Sequence, residues 1–211
     1  ASRSGRGAEV LIYLVDQDGD GNVVVTPRRA RPKRQGGYGR LSPFNGIRRA
    51  PAGLLGADDR RLLRLLPEAG SPVPLDDRHF LFKLLAETGR AYWQDAGRPA
   101  LGEEAAAKGG VQWQVRADGR QQLVPDVDGE CLAVAGYPPL WVDPQAGTFG
   151  RIETGLDNAL IERLLAAPLI EPGDIDSTAQ GLAARKLPVP PPEAPRRRCF
   201  ADVRPVPVLR L

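Results

Sequence analysis

The residues of this chain best suited to do chemistry are cations. Between positions 21 and 50 lie Arg28, Arg29, Arg31, Lys33, Arg34, Arg40, Arg48 and Arg49, with no acidic residue among them. Tyr38 and Phe44 interrupt the run. Such a mixture suits a polyanion, because guanidinium and ammonium groups neutralise phosphates and an aromatic face takes a stacked base. The competing reading is a solvated loop or strand pair whose arginines face water, as charge runs usually do. The eight cations and Tyr38 are the candidate nucleic-acid contacts.

Other chemistry-bearing groups lead nowhere comparable. DQDGDGN at 16–22 matches the first half of a calcium-binding EF-hand loop, but the position that should supply the bidentate acid is Pro27, and the flanks read as strands. A polar hairpin turn is the expectation. Asp126, Asp128 and Glu130 could form a carboxylate pair of the glycosidase kind, yet they sit at a Gly-containing turn, where solvated acids are ordinary. His79 is the only histidine and has no partner set for a metal or a triad. There is no G-x-x-x-x-G-K-[ST] loop and no G-x-S-x-G elbow. The sequence therefore points to no catalytic residue, no cofactor and no metal.

The elements that must position the cations are read from periodicity. Residues 10–15 and 23–25 form a hairpin around the Asp-rich turn, and the basic stretch follows it. Helices are predicted over 58–66 and 76–88; Phe80, Leu81, Leu84 and Leu85 form the buried stripe of the second, and Gly89 is its C-cap. Tyr92-Trp93 begins a strand. Residues 97–110 read as a loop with a short helical piece at 103–108. Residues 111–154 then alternate apolar runs with Asp-Gly turns, which predicts strands at 111–115, 123–127, 131–135, 141–142 and 148–153. Pro125 marks the second of these as an edge or bulged strand. Residues 131–135, apolar throughout, read as covered on both faces. Helices follow at 156–167 and 172–186. LPVPPPEAP at 187–195 is an extended polyproline spacer or peptide ligand, and 202–211 reads as an exit strand. The class is α+β: an antiparallel β-meander with several packed helices, with a core of Trp113, Val115, Leu132, Val134 and Trp141. The divisions are a disordered N-terminus at 1–9, a hairpin, basic loop and helical pair at 10–96, a sheet and two helices at 97–186, and a Pro-rich linker at 187–211.

Composition bounds the rest. The hydrophobic fraction is 42%, enough for a core because the apolar residues cluster periodically. Gly (24) and Pro (21) call for many turns and linkers. Net charge is +3, but it is unevenly spread: 118–157 holds seven acids against Arg120 and Arg151. Two cysteines far apart, Cys131 and Cys199, imply a reduced, cytoplasmic setting, the alternative being a single disulfide between them. No apolar run approaches the ~18 residues of a membrane span, so no membrane partner is expected. With no Met, the chain is expected to be an excerpt of a longer product, or one processed at its start.

The order of segments carries a resemblance. LIYLV, the basic stretch, a leucine-rich helical pair, YPPLWVDPQAGTFGRIETGL with LIERLLAAPLIEP, and a Pro-rich run into RPVPVLRL together resemble the region ahead of the motor in bacterial Swi/Snf-type helicase-like ATPases. The resemblance spans about residues 10–211 and is most specific at 141–172. It implies a motor, C-terminal in the same polypeptide, that hydrolyses ATP on double-stranded DNA, and no catalytic residue carries over to this chain. The implied role is a non-catalytic accessory domain that positions or regulates the motor and contacts nucleic-acid phosphate. The alternative is a protein-interaction module that docks the motor or a partner through sheet edges and the Pro-rich segment.

Overall fold

Val10–Gln17 (β1) is central to the first sheet. It pairs antiparallel with Val23–Ala30 (β2), from Val10 opposite Ala30 to Gln17 opposite Val23. The computed structural model describes residues 8–68 and 70–194. Ser42–Pro43 (β3) extends β2 outward, while Ala91–Trp93 (β4) runs parallel to β1 on its other side. Side chains of β1 are buried on both of its faces. Leu11, Tyr13 and Val15 enter the main core with Phe82, Leu85, Trp93 and Phe149; Ile12 packs opposite with Ala30 and Tyr92. Burial of each large apolar side chain contributes about 1.5–3 kcal/mol before entropy is counted.

The parallel β1–β4 pairing needs a crossover. It contains Ala57–Leu65 (α1) and Arg78–Glu87 (α2). In α1 the Asp59 carboxylate accepts the Gly56 N–H at 2.9 Å, which caps the first turn. Leu81, Leu84 and Leu85 of α2 are buried as expected, but Phe80 is 48% exposed and Phe82 takes its place. Arg78 sets this phase. It is 3% exposed and donates from Nε to the Val73 carbonyl and from Nη1 to the Ala135 carbonyl. Positions 78, 82 and 85 therefore face inward, and position 80 turns to solvent.

The second sheet comprises Gly102–Glu103 (β5), Ala107–Val115 (β6), Gln121–Val127 (β7), Leu132–Val134 (β8), Leu140–Asp143 (β9) and Thr148–Glu153 (β10). Its order is β7-β6-β10-β9-β8, with β5 also on β10. Helices and strands are thus mixed as in an α+β protein, but the antiparallel meander is overturned. β10 is antiparallel to β9 yet parallel to β5 and β6, and the consecutive strands β7 and β8 lie at opposite edges. The physical reason is insertion of the last strand beside β6. Two glycines make room for it. A β carbon at Gly109 would meet the Asp126 carbonyl and the Ile152 side chain, and one at Gly150 would meet the Trp141 indole.

Other expectations change with the topology. The helical piece at 103–108 is extended, because Gly102 and Glu104 donate their N–H groups to Gly147 and Phe149 rather than along their own chain. Residues 131–135 are not buried throughout: along the edge strand β8 Leu132 is exposed, Ala133 is half-buried and Val134 is buried. Of the proposed core, Val134 and Trp141 are buried, Trp113 is half-buried and Val115 is exposed. Pro125 does lie in an edge strand, β7. Asn158–Leu165 (α3) and Ile175–Ala184 (α4) each bury one residue, Ile161 and Ile175.

Two compact units emerge. One contains the described residues up to Gln112 together with Leu123–Ala167; the other contains Trp113–Gln122 and the described residues from Pro168 onward. Residues 1–7 of the expected disordered N-terminus, the arginines at 196–198, Cys199 and the exit strand at 202–211 lie outside the described residues. Among the described residues, no helix is long and apolar enough to cross a membrane.

Candidate nucleic-acid interface

The basic stretch begins as a strand. Arg28 and Arg29 belong to β2, opposite Ile12 and Leu11 of β1. Arg29 donates from Nε to the Pro43 carbonyl at 3.1 Å, which ties it to β3. Glu9, just ahead of β1, lies 3.8 Å from Arg29 and 3.4 Å from Arg31. Both pairs are solvent-accessible and contribute little to stability.

Beyond β2 the chain makes a tight reversal. Gly39 donates to the Arg31 carbonyl at 2.8 Å, Lys33 donates to Gly37, and Gly36 donates to Lys33. Gly36 and Gly37 take φ of 88° and 68°, values that side chains rarely adopt, so the reversal needs glycine there. Arg31, Lys33 and Arg34 are exposed on it, as is Arg40 just after it. Arg48 and Arg49 are exposed on the single 3-10 turn Ile47–Arg49. Among the described residues, Arg28, Lys33, Arg34, Arg40, Arg48 and Arg49 have no carboxylate partner.

The two aromatics are placed differently. Tyr38 sits edge-on to Tyr92, ring centres 5.8 Å apart, and its hydroxyl accepts from the Tyr92 hydroxyl at 3.2 Å. Phe44 packs against the main core. Both rings of the basic stretch are therefore engaged within the protein, and the stretch offers charge without a free stacking platform. Beside Phe44 a cleft of about 640 Å³ opens, with Pro27, Phe44, Ile47, Leu63 and Leu66 among its walls and Arg28 and Arg48 at its margin.

A second cationic face escaped the sequence reading. Arg60, Arg61 and Arg64 of α1 are exposed beside Leu65 and Phe80 and line a shallow depression of about 540 Å³. The Arg61 guanidinium lies 5.8 Å from the centre of the Phe80 ring, within cation–π range. The signal was present in the spacing. Residues 60, 61 and 64 fall on the helix face opposite the buried Asp59 and Leu62.

The other candidates are structural in their surroundings. In the Asp-rich turn, Asp18 Oδ1 accepts the N–H groups of Asp20 and Asn22 at 3.0 and 2.8 Å, and Oδ2 accepts from the Asn22 amide. These bonds, those from Asn22 first, hold the Asp18 carboxyl below its usual pKa. Among the described residues, no group of three or more His, Cys, Asp and Glu side chains is arranged to hold a metal ion. His79 Nε2 accepts from Arg151 Nε at 3.2 Å, while Glu103 pairs with Lys83 at 3.0 Å. Burial, and then the charges of Arg151 and Lys83, push the His79 pKa down. The Cys131 thiol is half-buried and pushed up, chiefly by desolvation and then by Asp143 and Glu130.

No protein-family model matches the chain, and no curated protein or solved structure is significantly similar to it.

Proposed function

We propose that this chain is a non-catalytic accessory domain of a DNA-dependent helicase-like ATPase, one that contacts nucleic-acid phosphate through the basic surface of β2 and the loops after it. The observation that carries this reading is the set of six cations, Arg28, Lys33, Arg34, Arg40, Arg48 and Arg49, left without a carboxylate partner among the described residues. Glu9 offsets only Arg29 and Arg31. With Tyr38 and Phe44 turned inward, the contact is electrostatic, so binding is largely independent of base sequence and falls steeply with salt. Such a surface positions a motor on duplex DNA without reading the bases. In this reading the motor belongs to the same polypeptide and works in the cytoplasm.

Fluorescence anisotropy with a labelled DNA duplex, at low and at physiological salt, tests the proposal. Binding is expected at low salt, with a slope against log salt that shrinks by about 0.9 for each phosphate that a substitution leaves without its cation. The chain carrying Arg28→Ala, Arg34→Ala and Arg48→Ala is expected to show that smaller slope. No binding at low salt, or an unchanged slope in the variant, rejects the reading.

A further inference from the structure

Proline-rich backbone offers its surroundings acceptors and few donors. Of residues 187–194, LPVPPPEA, four are proline and carry no N–H. A surface that binds such a segment through its backbone must therefore supply N–H groups. The second compact unit does so. The Trp113 indole Nε1–H donates to the Pro190 carbonyl at 2.8 Å. The Gln121 side chain donates from Nε2 to the Glu193 carbonyl at 2.6 Å, and its Oε1 accepts the Glu193 N–H at 2.9 Å. Glu193 is the first residue after the proline run with an N–H to give.

Gln121 is built for this task. It is 1% exposed, and its main chain is already committed, exchanging hydrogen bonds of 3.0 and 2.8 Å with Ile170. Its side-chain amide therefore presents a donor and an acceptor side by side, as a neighbouring strand would. Between the two anchors Pro192 is buried, whereas Pro188, Pro190 and Pro191 stay exposed. With the segment in place the buried Gln121 amide has its donor and its acceptor both satisfied by Glu193, and a segment lacking an N–H and a C=O at that position would leave a buried polar group unpaired. Side-chain N–H donation from an aromatic residue to a proline-rich backbone is the chemistry by which aromatic-lined grooves take Pro-rich peptides.

We infer that Trp113 and Gln121 form a reader of extended, proline-rich backbone that the chain fills with its own residues 187–194, so that a proline-rich segment of a partner binds only in competition with this strap. Tethering gives the strap a local concentration on the order of millimolar, which a free peptide of the same sequence cannot readily exceed.

The test uses a fluorescein-labelled LPVPPPEA peptide and the full chain, with no nucleic acid present, so its outcome is separate from that of the DNA titration. A chain whose residues 187–194 are replaced by Gly-Ser repeats of equal length is expected to bind the peptide. The intact chain is expected to bind it roughly ten-fold more weakly or less. Trp113→Phe, which keeps a ring and removes the donor, is expected to weaken peptide binding by the replaced chain several-fold. Should the replaced chain lose its native circular dichroism, amide exchange in the intact chain decides, with a protected Glu193 N–H expected. Absence of peptide binding by a folded replaced chain, equal binding by both chains, or a Glu193 N–H exchanging at the unfolded-chain rate overturns the inference.

Discussion

Asp59 is a carboxylate at 2% exposure inside a core of leucines and aromatics, and it is kept there by partners. Tyr13 donates to it at 2.8 Å and Arg90 at 2.9 Å, while Arg90 also donates to the Leu11 carbonyl. Burial first, and then the Asp59 hydrogen bond, push the Tyr13 pKa up. Asp59→Ala leaves the guanidinium and the phenol short of an acceptor and is expected to cost about 3 kcal/mol, read as a lowered urea midpoint. Tyr13→Phe removes one donor and is expected to cost less. His79 supplies a pH effect. Its folded pKa lies below the ordinary ~6.5, so in that window the unfolded chain binds the proton first. Stability is therefore expected to fall as pH drops through about 6.5 toward the depressed folded value, and His79→Gln is expected to flatten that fall. Because the chain has one histidine, the difference between the parent and His79→Gln urea midpoints between about pH 7.5 and 5 reads the effect.

At the scale of elements, glycine decides what the second sheet can be. β6 passes the Asp126 carbonyl and the Ile152 side chain at Gly109, where no β carbon fits. Gly109→Ala is expected to destabilise the chain by about 1–3 kcal/mol through overpacking, visible as a lower thermal midpoint. Gly110 has open space where a β carbon would go, so alanine there is the natural control. The hairpin β1–β2, both crossover helices and the turns at Gly89, Gly119 and Gly129 were legible, because each rests on local periodicity or a positive φ that glycine tolerates. The phase of α2 was not legible. Phe80 and Phe82 fit a helical pattern equally well, and the choice fell to the carbonyls of Val73 and Ala135, which hold Arg78.

At the scale of the whole molecule, charge is local rather than global. A net charge of +3 predicts little, whereas the cations of β2, the loops after it and α1 that have no carboxylate partner among the described residues predict salt-dependent contacts. If the α1 face belongs to the same track, Arg60→Ala with Arg61→Ala and Arg64→Ala lowers the salt slope of duplex binding further, by about 0.9 for every phosphate those arginines neutralise. An unchanged slope confines the interface to β2 and its loops. The candidate cations could be named from the sequence because a run without acids is visible as such. Their availability could not, because Glu9 is remote from the run's centre and meets Arg29 and Arg31 only through the β1–β2 pairing.

The sequence by itself determined the β1–β2 hairpin, the four helices, the glycine turns, the class as α+β and the position of the cationic run, since all of these follow from neighbours within a few residues. Tertiary structure alone decided that β10 enters beside β6, that Tyr38 turns in to Tyr92, and that the proline-rich segment lies on Trp113 and Gln121. Each of these joins residues more than 40 positions apart. No local period records such a pairing; only the closing of the chain on itself selects it.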